Sequence, residues 1–276
     1  MKEENRNMKH GLILVEGLPA SGKSTAAAYI AELLHFRCTD EGTGSHPADY
    51  EGHALVSADE LKAYFAQCRD AEEVRALSEA AELHYAGFVL PLAELAWHPA
   101  YADMLMHRIY EGVPWPPERA VMLDKWRSYA ENAASDPGDV FNCVLLQNPM
   151  CETMLRLNLP QAESAAFIGE IAEIIRPLNP FVVYLKTGEI AENIRRVQPE
   201  RGAEWLQAVI EYHCGGAYGR ANGLSGFDGY IAALEERQRR ELEILRGLKL
   251  PYLILDEPQH DWPAAYAKIR AELCGA

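Results

Sequence analysis

Apolar and polar positions alternate along this chain in two rhythms. Short apolar runs stand at residues 10–16 (HGLILVE), 36–39, 140–146, 181–185 (FVVYL) and 252–255. Between them the apolar positions recur at helical spacing, at residues 24–35, 162–175, 189–197, 202–213 and 229–248. Short apolar strands alternating with helices predict a parallel sheet covered on both faces. From about residue 57 to 135 the spacing is broadly helical, in ADELKAYFAQ, AEEVRALSEAAELHYAGF, AYADMLMHRIY and PERAVMLDKWRSYAENAA, with GVPWPP as punctuation. The expected fold is a doubly wound α/β sheet of about five strands. It forms a single domain over residues 1–276, with a helical insertion at residues 53–139.

Composition narrows the class without naming a reaction. With 276 residues, 49% of them hydrophobic, the chain can bury a sizeable core. A net charge of −15 argues against a nucleic-acid partner, whose phosphates would need neutralising. The six cysteines are scattered, without a C-x-x-C pair, and read as reduced thiols of a cytoplasmic protein. The opening MKEENRNMKH lacks the apolar centre of a signal peptide, and no apolar run is long enough to span a membrane.

The chemistry begins directly after the first apolar run. Residues 17–25, GLPASGKST, fit G-x-x-x-x-G-K-[ST] between a strand and a helix. Gly17, Pro19, Ala20, Ser21 and Gly22 would wrap backbone N–H groups around phosphate oxygens at a helix N-terminus. Lys23 would reach the β- and γ-phosphates of ATP, the Ser24 hydroxyl would ligate Mg²⁺, and Thr25 completes the loop.

Three stretches resemble the P-loop kinases, a group that includes thymidylate kinases, deoxynucleoside kinases and several antibiotic phosphotransferases. They are LVEGLPASGKST with Glu16 before the loop, CTDEGTG after the second strand, and FVVYLKTGEIAENIRRVQPERG. The resemblance implies transfer of a phosphoryl group from ATP to a hydroxylated small molecule, a nucleoside-like metabolite or an antibiotic. The insertion would bind that acceptor. It implies Glu41 as the base, with Asp59 and then Asp49 as rivals; Ser57 or Asp59 would equally serve as a helix N-cap. It also implies a lid over the phosphates, with Arg201 catalytic, Arg195 holding the nucleotide and Arg196 beside them, although the same helix could simply pair arginines with Glu192 or Glu200. One departure stands out: Gln147 and Asn148 occupy the end of the third strand, where such proteins place a metal-facing aspartate, so an amide or an acid from another loop must serve.

Other features leave alternatives open. The glycine-rich residues 212–229 fit a mobile substrate loop or a helix connection equally. His46 and His213 lack partners at ligand spacing and read as structural or substrate contacts, and Trp126 and Tyr129 share a helical face that suits a core. LSG at residues 224–226 and LILDEP at 253–258 resemble ABC-type ATPases, with Asp256 holding magnesium and Glu257 activating water. The separation of Lys23 from Asp256 is too long for that reading, and LILDEP fits a fifth strand near the adenine. A slow regulatory ATPase is a third possibility, made less attractive because no N-K-x-D motif is present.

Overall fold

The first apolar run becomes β1 (Leu12–Gly17), the central strand of a parallel sheet. The computed structural model describes residues 10–42, 44–84, 86–133 and 137–275; the charged start of the chain and residues 134–135 of the long helical pattern lie outside the described residues. The sheet has five parallel strands in the order β2 (Arg37–Thr39), β6 (Asp139–Asn142), β1, β7 (Pro180–Lys186) and β8 (Tyr252–Asp256). Leu12 stands beside Asp139 on one side and Pro180 on the other.

Every residue of β1 is buried, as a strand covered on both faces requires. Ile13 and Val15 face α1 (Lys23–Leu34) and the C-terminal helix Trp262–Cys274, in a cluster with Ala27, Ile30, Val183 and Ile269. Leu12, Leu14 and Glu16 point the opposite way. On that second face the Tyr184 hydroxyl of β7 donates to Glu241 Oε2 at 2.6 Å, tying the sheet to the long helix Gly226–Gly247.

The chain divides into two compact units, one of residues 10–40 and 132–275, the other of residues 41–131. The second unit is not purely helical. It holds an antiparallel sheet, β3 (His53–Val56), β5 (Gly87–Pro91) and β4 (Glu82–His84), around a core of Ala54, Val56, Leu61, Tyr64 and Leu90. The helical spacing expected through residue 88 stops at Ala80. Short segments such as ELH fit either period, and cross-strand pairing decides between them. The expected insertion also ran too far, because residue 139 already belongs to the main sheet. Residues 101–110 give a four-residue helix, Tyr101–Met104, and a 3-10 turn, where the spacing suggested one longer helix.

The third strand is likewise shorter than its apolar run. It stops at Asn142, and Cys143 turns into a left-handed conformation with φ 73°. The cause lies in β1: the buried Glu16 carboxylate accepts from the amides of Leu145 at 2.7 Å and Gln147 at 3.0 Å. Cys143 still donates its amide to the Val15 carbonyl at 3.1 Å, and the Glu16 bonds hold residues 144–147 off the ladder beyond it. The glycine-rich residues 212–229 form the end of helix Ala203–Gly215, the short helix Ala217–Ala221 and the start of the long helix, and so act as a helix connection.

Candidate active site at the phosphate loop

At the C-terminal edge of the sheet, residues 17–22 turn β1 into α1. Ala20 and Gly22 adopt left-handed backbone, φ 64° and 93°. Gly22 has no substitute here, since a Cβ would stand 2.5 Å from the Trp262 ring. It caps α1 without any side-chain hydrogen bond, so the first-turn amides keep their donors for a ligand. Their partial positive charge favours an anion. Lys23 is buried, and its Nζ donates to the Leu18 carbonyl at 2.9 Å, folding the ammonium back along the loop. Five strands, their helices and this loop leave one description. The fold is that of a P-loop sheet.

Beside the loop, one amide gathers two oxygens. Asn142 Nδ2 donates to Ser24 Oγ at 3.2 Å and to Asp40 Oδ1 at 3.0 Å. Asn142 ends β6 and Asp40 follows β2; Thr39 stands beside Phe141 in the parallel register, which brings both ends to the start of α1. The strand-end position assigned above to Gln147 and Asn148 therefore belongs to Asn142, and those two residues open the next short helix, Gln147–Met150. The pairing of β2 with β6 supplies the missing information. The only sequence signal for Asn142 is that it is the first polar residue after the buried Val140 and Phe141.

Glu16 lies at the centre of this edge. Burial pushes its carboxyl up to about 7, with the nearby Glu241 adding to the shift and the Gln147 and Leu145 amides opposing it.

The arginine-bearing segment forms the helix Ile190–Arg201. Its Ile190 and Ile194 pack with Leu18 and Ala20 of the phosphate loop, in a cluster completed by Tyr230, Ile231 and Leu234. The arginines stay exposed. Arg195 lies over the Phe227 ring at 4.7 Å, Arg201 over Trp205 at 6.0 Å, and Arg196 donates to Asn193 Oδ1 at 2.6 Å.

The candidate acids fall in different settings. Glu41 is exposed, follows Asp40 directly and opens the second unit. Asp59 is an exposed first-turn acid of helix Ala58–Phe65, whose cap is Ser57 in a reciprocal pair with Glu60. Asp59 takes no part in that cap, and its first-turn place suits the positive end of the helix dipole. Asp49 is buried and accepts from the Tyr110 hydroxyl at 2.6 Å and the Tyr50 amide at 2.8 Å. In the same unit Glu51 is pushed up to about 7, by burial first and then by the charges of Asp49 and Glu41.

The ABC-like residues are engaged elsewhere. β8 is an edge strand, separated from β1 by β7. Asp256 pairs with Lys186 at 2.7 Å, and Glu257 accepts from the Gly188 and Glu189 amides. His213 is buried, with Nδ1 donating to the Val209 carbonyl at 2.7 Å, and burial followed by the Arg237 charge lowers its pKa to about 3. Among the described residues no cluster of three His, Cys, Asp or Glu side chains could hold a metal, and no helix is long and apolar enough to cross a membrane.

Neither a protein-family profile nor a curated protein matches the chain. Solved structures align with it over most of its length. A deoxyadenosine kinase from M. mycoides with bound dATP is 16% identical, with a TM-score of 0.45, over 95% of this chain and 98% of that one. The YorR protein from Bacillus subtilis, in complex with phosphorylated GDP, is 12% identical with a TM-score of 0.43, over 94% and 92%.

Proposed function

We propose that this protein transfers the γ-phosphoryl group of ATP to a hydroxyl of a small molecule, a nucleoside-like metabolite or antibiotic. The observation that carries the reading is the Ser24–Asn142–Asp40 group beside the uncapped start of α1. It places hard oxygen donors next to an anion cradle, the pairing that a magnesium-bound polyphosphate needs.

In this reading the first-turn amides and Lys23 hold the phosphates, and Lys23 exchanges the Leu18 carbonyl for a phosphate oxygen. The hydroxyl of Ser24 and the carboxylate of Asp40 suit Mg²⁺, directly or through its waters; the ion when bound offsets negative charge on the phosphates. The acceptor oxygen forms the new bond to phosphorus as the bond to the bridging oxygen of ADP breaks. Its proton passes to a carboxylate, for which Glu41 is the first choice and Asp59 the weaker one. Arg195 and Arg201 reach over the phosphates from a helix already packed on the loop. The acceptor would bind to the insertion, as expected from the sequence.

The decisive experiment incubates the protein with Mg·ATP and a panel of nucleosides, nucleotides, sugars and nucleoside antibiotics. One acceptor should gain a phosphoryl group by mass spectrometry, and Lys23→Ala should gain none. ATP hydrolysis with every acceptor unchanged would overturn the reading.

A further inference from the structure

The turn that launches the arginine helix is held from outside. Residues 186–189 leave β7 and enter the helix Ile190–Arg201, whose N-cap Glu189 makes no side-chain capping bond of its own. Two distant residues satisfy this turn. Gln238 of the long helix accepts from the Thr187 amide and donates to the Thr187 carbonyl, both at 2.8 Å. Glu257, in the loop after β8, accepts from the amides of Gly188 at 3.2 Å and Glu189 at 3.1 Å, both on Oε1. Its own amide donates to the Lys186 carbonyl at 2.9 Å.

Glu257 reaches this turn in an uncommon way. It is a non-glycine residue in left-handed backbone, φ 46° and ψ 51°. Such conformations persist where surrounding contacts determine them. Glycine at 188 gives the carboxylate room, because a Cβ there would stand 3.1 Å from Glu257 Oε1 and push it back by a few tenths of an ångström. From Glu257 the chain runs through Pro258–His260 to Trp262, the ring that covers Gly22 of the phosphate loop. One short segment thus touches the donor loop at one end and anchors the arginine helix at the other. The helix meets the same loop through Ile190 and Ile194 against Leu18.

We propose that Glu257 is a positioning residue for phosphoryl transfer, acting through the helix that carries Arg195 and Arg201. It touches neither phosphate nor acceptor. By closing the turn at residues 187–189 it fixes the direction in which the arginine helix leaves the sheet. The inference rests on the phosphotransferase reading above and adds to it a residue that otherwise resembles a hydrolytic base.

The test uses the full-length protein with Mg·ATP and the acceptor found in the panel. Glu257→Ala should lower kcat about tenfold or more, with KM for ATP changed less than about threefold, since the phosphate loop is untouched. Glu257→Gln should restore kcat to within about threefold, because its single amide oxygen can accept both bonds. Gly188→Ala, which crowds Oε1, should repeat the loss. Tryptic cleavage after Arg195, Arg196 and Arg201 should quicken in Glu257→Ala, and this readout needs no turnover. An unchanged kcat and cleavage rate in Glu257→Ala, or a Gln variant as impaired as the Ala one, overturns the proposal. If the wild type phosphorylates nothing, the phosphotransferase reading fails by itself, and the cleavage rates still decide whether Glu257 anchors the helix.

Discussion

At the scale of single residues, the phosphate loop was legible because its chemistry is local. Nine consecutive residues contain the glycines, the lysine and the hydroxyl, and a strand and a helix flank them. Asp40 and Asn142 were not legible, since only the pairing of β2 with β6 brings them together. Their proposed roles separate experimentally. Asp40→Asn should raise the Mg²⁺ concentration needed for half-maximal velocity about tenfold, read from velocity against free Mg²⁺ at saturating ATP. Glu41→Gln should instead lower kcat by roughly a hundredfold or more with that Mg²⁺ midpoint unmoved. If Asp59→Asn gives the larger loss in kcat, the base lies there and the choice of Glu41 fails.

At the scale of elements, apolar periodicity located the main strands and helices but not the places where a side chain overrides it. The run at residues 140–146 reads as one strand, yet the Glu16 carboxylate captures the Leu145 and Gln147 amides and ends it at Asn142. Removing that carboxylate should therefore loosen the segment. Glu16→Ala leaves the buried Leu145 amide and the part-buried Gln147 amide without their acceptor, a cost of about 2–4 kcal/mol, measurable by urea denaturation near pH 4.5. Faster amide exchange should concentrate at residues 143–150; exchange spread evenly over the sheet would show that Glu16 does not act on this turn. In the second unit, segments as short as Glu82–His84 carry too little pattern to be separated from helix. The sequence leaves the cap of the next helix open between Ser57 and Asp59, and the reciprocal bonds of Ser57 with Glu60 decide for Ser57.

At the scale of the molecule, the order of apolar runs was enough to predict a five-stranded parallel sheet. It could not show that the intervening residues build a sheet of their own, because that unit's core is assembled from cross-strand contacts. Two buried groups also give the whole fold opposing pH dependences. His213 titrates near 3 in the fold and near 6.5 unfolded, so its contribution is full above 6.5 and is lost as pH falls towards 3. Glu16 titrates near 7 in the fold and 4.5 unfolded, so its contribution is full below 4.5 and is lost as pH rises towards 7. Relative to His213→Gln, the wild type should lose about 1.4 kcal/mol of stability per pH unit below 6.5; relative to Glu16→Gln, it should lose a similar amount per unit above 4.5. Flat difference curves in urea melts across pH 4–8 would show that neither group is held as described.

The central place of β1 has a further consequence, for synthesis. Its neighbours are β6 and β7, so β1 has neither of its sheet partners until residue 139 emerges from the ribosome and is not enclosed until residue 180 does. Residues 41–131 form a compact unit and come out whole in that interval. The sheet under the phosphate loop is therefore completed late in translation, and nucleotide would protect the nascent chain from proteolysis only then.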